Sequence, residues 1–175
     1  MPPNDADWLP AELPSEESGE TNPTAEAREV VSRLNGRGLY TRTGLLLLPH
    51  NWLGREGEVA VRLGAAHVNY QAWKVGRLAP GQNFLMYSVQ RLIEELDALC
   101  QEPHPYRTLL VSVFDLPLSA LTPAERRIFW TFLFGTFSKR PRAVLLALPG
   151  AAAVLPDDHE QAAWRAAGRL AHWPS

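Results

Sequence analysis

Gly44-Leu45-Leu46-Leu47-Leu48-Pro49-His50-Asn51-Trp52-Leu53-Gly54-Arg55-Glu56 is the stretch on which the reading of this chain turns. From Gly44 to Leu48 the run is apolar, of strand length and without alternation, which is how a strand buried on both faces reads. Pro49 ends it, a polar turn follows, and Arg55 to Leu63 has the character of a short helix stopped by Gly64. A strand covered on both faces implies a sheet with a layer of helices on either side.

Outward from that stretch, helices and strands alternate. Thr24 is placed to cap a helix reaching Leu34 and stopped at Asn35-Gly36. A second strand is expected from Ala66 to Trp73. Asn83 to Gln101 is amphipathic, with Val89, Leu92, Ile93, Leu96, Leu99 and Cys100 on one stripe. A third strand, Thr108 to Asp115, ends on a carboxylate. Thr122-Pro123-Ala124-Glu125 combines an N-cap, a proline at the first helical position and a capping glutamate, and opens a helix to about Ser138. The strand from Ala143 to Leu148 follows, and a last helix starting near Asp157 or Asp158 carries Ala163, Ala167, Leu170 and Ala171 inward. This order predicts a three-layer α/β sandwich around a mostly parallel sheet.

The loop after the first strand has the spacing of a phosphate-binding loop, G-x-x-x-x-G-K-[ST], with three of its four defining residues changed. Pro49 stands for the first Gly, Arg55 for the Lys and Glu56 for the Ser or Thr; Gly54 alone fits. A working loop wraps backbone N–H groups around phosphate, sets a Lys on the terminal phosphates and a hydroxyl on magnesium. Proline has no N–H to donate, and a glutamate at the magnesium position opposes the phosphate charge. Arginine still pairs with phosphate, as a planar fork.

Taken in order, the strand and loop at Gly44–Glu56, the helix to Leu63, the strand near Val68-Asn69-Tyr70 and the strand ending at Phe114-Asp115 resemble a P-loop ATPase of the AAA type. In that family the third of these strands ends on an acidic pair, one member orienting magnesium and the other activating water. Asp115 matches the first, and Leu116 replaces the second. Arg142 to Pro149 resembles the sensor strand that follows, without a polar sensor residue. Within the family the chain looks most like the small P-loop-like protein of BREX-type bacterial phage-defence systems. The resemblance implies a P-loop NTPase-like fold, a place in a larger assembly with protein partners, and no hydrolysis; ATP with magnesium belongs to the alternative in which Gly54, Arg55 and Asp115 still hold a nucleotide.

Composition limits the other readings. At 175 residues and 46% hydrophobic content the chain is expected to form one domain, residues 28–175, behind an acidic leader, residues 1–27. That leader holds seven acids and no Lys or Arg, so residues 28–175 carry twelve acids against seventeen bases. Its composition reads as disordered, with Trp8 as an apolar anchor for a partner. No long apolar segment and no signal-peptide layout is evident, which makes the cytoplasm the expected compartment and a membrane unexpected. A single cysteine, Cys100, on an apolar stripe reads as a core residue. The histidines show no i, i+4 metal pair.

Two further features stand out. Ile128 to Phe137 places aromatics on nearly every side of one helix, making Trp130, Phe134 and Phe137 candidate anchors for a protein partner or members of a central helix. Arg126, Arg127, Lys139, Arg140 and Arg142 flank that helix and could contact phosphates of a nucleic acid without reading bases. Three readings follow: a non-catalytic adaptor or scaffold in a bacterial assembly, a nucleotide-binding or weakly active NTPase, and a nucleic-acid-binding module.

Overall fold

The computed structural model describes residues 22, 24–82, 85–138 and 140–175. Trp8, Lys139 and the start expected at Asn83 for the amphipathic helix lie outside the described residues. Within them the chain forms α1 (Ala25–Asn35), β1 (Thr43–Leu48), α2 (Glu56–Leu63), β2 (Ala66–Asn69), α3 (Tyr70–Val75), α4 (Val89–Gln101), β3 (Thr108–Ser112), α5 (Asp115–Ser119), α6 (Pro123–Gly135), β4 (Ala143–Pro149), α7 (Asp158–Ala166) and β5 (Leu170–His172). The five strands form one parallel sheet in the order β2-β3-β4-β1-β5.

The leucine run behaves as its composition demands. Leu45 and Leu47 join the core on one face, with residues of α4, α6 and α7; Leu46 and Leu48 join the other, with residues of α1 and α2. The domain is therefore a three-layer α/β sandwich. Among the described residues no helix is long and apolar enough to cross a membrane.

Several boundaries shift for identifiable reasons. The folded part reaches back ahead of residue 28, because Ala27 is buried and Glu26 accepts a hydrogen bond from the His172 backbone. Thr24 does not cap α1 with its hydroxyl, which donates instead to Asn22 Oδ1 at 2.8 Å. The strand expected to Trp73 stops at Asn69, whose side chain accepts from Ala72 N at 3.0 Å and starts α3. α4 begins at Val89, capped by Ser88. Both capping boxes, Thr122 with Glu125 and Asp157 with Glu160, form.

The largest departure is at the C-terminus. Leu170 and Ala171 are not helical; they pair with Leu45 and Leu46 as part of β5. Gly168 makes the reversal, with φ of 65° in a spot where a Cβ would sit 2.6 Å from Arg33 Nε. Next to it, Arg169 is only 5% exposed. Its guanidinium donates to Thr43 O at 2.6 Å, Phe134 O at 2.9 Å and the Thr43 hydroxyl, and lies over the rings of Phe134 and Trp164. Burial pushes its pKa down to about 10, so it stays charged at neutral pH.

The aromatic helix is central, not projecting. Phe129 and Leu133 are buried, and Trp130 and Phe137 are each 2% exposed, with the Trp130 indole donating to Val154 O at 3.0 Å. Sheet, α4 and the segment around α7 together enclose it. Trp130 and Phe137 are thus unavailable as partner anchors, and Phe134 is half-buried edge-on against Trp164 at 5.1 Å.

Two outcomes test this core. Arg169→Ala strands the carbonyls of Thr43 and Phe134 and should lower unfolding free energy by about 3 kcal/mol in urea titrations, with Arg169→Lys recovering only part. Burial pushes the Cys100 thiol up to about 12, so the native protein should resist a disulfide reagent at pH 8 and react once unfolded in urea.

Candidate functional site

The carboxyl end of a parallel sheet is where ligands of α/β folds gather, and the loop from Pro49 to Glu56 lies there, after β1. Pro49 leads into a single 3-10 turn over His50–Trp52. Four N–H groups are used inside the loop. Trp52 N donates to Pro49 O at 3.0 Å, Leu53 N to His50 O at 3.2 Å and Arg55 N to Trp52 O at 3.1 Å. Gly54 N donates to Glu56 Oε1 at 2.9 Å. Gly54 has φ of 84°, which accounts for the glycine by backbone geometry alone.

Arg55 is engaged in the same way. Its Nε and Nη2 donate to the two oxygens of Glu58 at 3.0 and 2.7 Å, and the guanidinium lies 4.1 Å from the Trp52 ring centre. The hydrogen bond with Glu58 raises the Arg55 pKa and lowers that of Glu58. Arg62 covers the same Trp52 ring at 5.0 Å, and Trp52 meets Trp173 edge-on at 5.4 Å.

Between the loop and the ends of β3 and β4 is a small cavity of about 160 Å³, lined by Leu53, Glu56, Val113, Asp115, Ala147 and Pro149. The fold therefore brings Asp115 to the loop, as the order of elements predicts. Arg55 does not line the cavity, and both charged side chains that do are acids. A phosphate entering here would have to displace Glu56 from the Gly54 N–H and face Asp115.

Asp115 does not end a strand. β3 stops at Ser112, and Val113 takes φ of 58°, left-handed backbone on a β-branched residue. The turn drops Phe114 into the core between Tyr70 and Phe129 and makes Asp115 the first residue of α5. Leu116, which follows Asp115, is half exposed. Ser112 Oγ lies 2.8 Å from His67 Nε2, but Ser112 is wholly buried, so the pair ties β2 to β3 and presents no nucleophile. Desolvation lowers the His67 pKa, against the opposing charge of Glu56. Among the described residues no three His, Cys, Asp or Glu side chains could hold a metal together.

The basic cluster divides. Arg126 closes α5 by donating to Leu121 O at 2.7 Å, and Arg127 is exposed beside it, at the start of α6. Arg140 and Arg142 lie beyond the other end of that 13-residue helix, about 20 Å away, where Arg42 joins them. Arg42 escaped the sequence reading because it is far from Arg140 in the chain; only the pairing of β1 with β4 unites them.

Left-handed backbone at Val113 costs about 1–3 kcal/mol. Val113→Asn should raise stability by about 1 kcal/mol by urea midpoint, and Val113→Gly by less because glycine loses more entropy on folding. Comparison with protein-family models, with curated proteins and with solved structures found nothing that matches this chain.

Proposed function

We propose that this chain is a degenerate P-loop-like domain, a non-catalytic adaptor in a larger bacterial assembly of the phage-defence kind that its resemblance implies. The observation that supports this most is that two of the loop's candidate phosphate-binding groups are engaged internally: Glu56 occupies the Gly54 N–H and Glu58 holds the Arg55 fork. Of the three residues that depart from the phosphate-loop pattern, Arg55 and Glu56 have internal partners. The placement of Asp115 beside the loop, with Leu116 exposed next to it, agrees with a nucleotide-binding architecture whose chemistry has been replaced.

The partner surface on this reading excludes Trp130 and Phe137. What α6 turns outward is Arg127 and Ile128, the latter 60% exposed, and these take over the role from the buried aromatics.

Thermal denaturation with and without 5 mM Mg-ATP tests the reading. No upward shift attributable to the loop is expected, whereas a nucleotide held with Kd near ~0.5 mM would raise the midpoint by about 4 °C. A rise abolished by Arg55→Ala, or phosphate release abolished by Asp115→Asn, would overturn the adaptor and establish the NTPase in its place.

A further inference from the structure

At the end of the sheet opposite the loop, three neighbouring strands start side by side, and the residues just before them are basic and aromatic. Tyr106-Arg107 precede β3, Arg140-Pro141-Arg142 precede β4, and Tyr40-Thr41-Arg42 precede β1. The ladder extends into these segments. Ala143 N donates to Arg107 O at 2.9 Å and Val144 N to Arg42 O at 3.0 Å, while Thr41 bridges Ser138. Arg107 stands level with Arg142 on the neighbouring strand, about 4.8 Å away, and Arg42, one residue out of step and level with Ala143, shares a cavity with Arg140 and Arg142.

Carbonyls, not carboxylates, orient most of these groups. Arg142 donates to Cys100 O at 3.0 Å and His104 O at 3.4 Å, and Arg42 donates to Arg140 O at 2.6 Å. Arg140 alone meets an acid, Asp97, at 2.7 Å, and lies 4.1 Å from the Phe137 ring centre. Arg107 is exposed. The Arg42 and Arg142 guanidiniums are thus held in place by neutral carbonyls that leave their charge uncancelled, with N–H groups to spare. A cavity of about 320 Å³ opens among Arg42, Arg140 and Arg142. At its rim Tyr40 is 68% exposed, and Tyr106 before the next strand but one is 48% exposed.

We propose that this end of the sheet binds a single nucleic-acid strand, with phosphates on Arg42, Arg107 and Arg142 and bases stacked on Tyr40 and Tyr106. Phosphates several ångströms apart along a strand suit guanidiniums presented at neighbouring strand starts, and unpaired bases offer faces to exposed tyrosines. An acidic peptide would use the arginines and leave the tyrosines idle; a duplex hides its base faces. Guanidiniums that contact phosphate and read no base edge make the binding indifferent to sequence. This inference stands apart from the adaptor reading, since it uses the other end of the sheet and needs no nucleotide at the loop.

Fluorescence anisotropy with labelled 12-nucleotide oligothymidylate and oligouridylate, without magnesium, tests it on the full chain, the two probes separating DNA from RNA. For three phosphate contacts to a single strand the slope of log K against log salt should be near about −2, a loss of roughly 20-fold between 50 and 200 mM salt. Arg107→Gln should make that slope shallower by about 0.7, and Tyr40→Ala should weaken binding about tenfold with the slope unchanged. Both side chains are exposed, so melting temperatures should match the parent. Replacing Arg126 and Arg127 together with Gln should change nothing. Absence of binding at 50 mM salt, indifference to Tyr40→Ala, or equal affinity for a duplex or for a poly-glutamate peptide would each overturn the proposal.

Discussion

A strand with side chains buried on both faces must also have both of its edges hydrogen-bonded, because an unpaired N–H or C=O has no water to turn to. β1 is under that constraint, and the topology answers it with β4 on one edge and β5 on the other. The chain returns to β1 twice, from far along the sequence, and so the segments after β4 and β5 crowd the end of β1. Gly150 N bonds Leu48 O at 2.9 Å and Trp173 N bonds Leu47 O at 2.8 Å. At the strand's start the space is equally tight: a Cβ on Gly44 would lie 3.1 Å from Arg169 O and from a methyl of Leu145. Glycine at 44 is a packing requirement at the sheet's centre.

Arg169 is the second consequence. A buried cation without a carboxylate is expensive unless it is well hydrogen-bonded, and here its donors reach Thr43 and the carbonyls at the end of α6, where the helix dipole presents its negative pole. The same group binds the start of β1 through Thr43, whose hydroxyl donates in turn to Leu133 O at 2.7 Å. One side chain thus ties together the central strand, the last strand and the aromatic helix. The faces of Phe134 and Trp164 complete its surroundings, which explains why a helix so rich in aromatics turns them inward.

What could be read in the sequence was what depends on local chemistry. Continuous apolar runs gave β1, β3 and β4, the capping residues gave the starts of α6 and α7, and Gly64 gave the end of α2. β5 was missed because its three residues, Leu170–His172, are too few to show a period, and they follow a helical pattern that only Gly168 interrupts. The end of β2 was missed because Asn69 reads as a strand residue unless its side chain is known to capture Ala72 N. The site was legible as a juxtaposition, since element order alone brings Asp115 to the loop. That Glu56 and Glu58 occupy the loop's donors was not legible, because a motif compares residue types and is silent on which neighbour each one meets. Arg42, Arg107, Tyr40 and Tyr106 form no motif in the chain; parallel pairing alone places them together.

The two ends of the sheet end up with opposite chemistry. At the carboxyl end, acids either occupy the loop's own donors or line its small cavity, and Arg55 is matched to Glu58. A loop kept for phosphate must leave N–H groups unfilled and bear the cost of that in the empty state; a loop that fills them is more stable empty. Glu56 on the Gly54 N–H and Glu58 on Arg55 therefore brace the loop by two independent contacts, so a substitution at either acid leaves the other contact standing. At the amino end, three guanidiniums are steered by carbonyls and only one nearby acid answers them. Charge left uncompensated on a folded surface is where a partner of the opposite sign gains most, and on this molecule that condition is met at the starts of β3, β4 and β1.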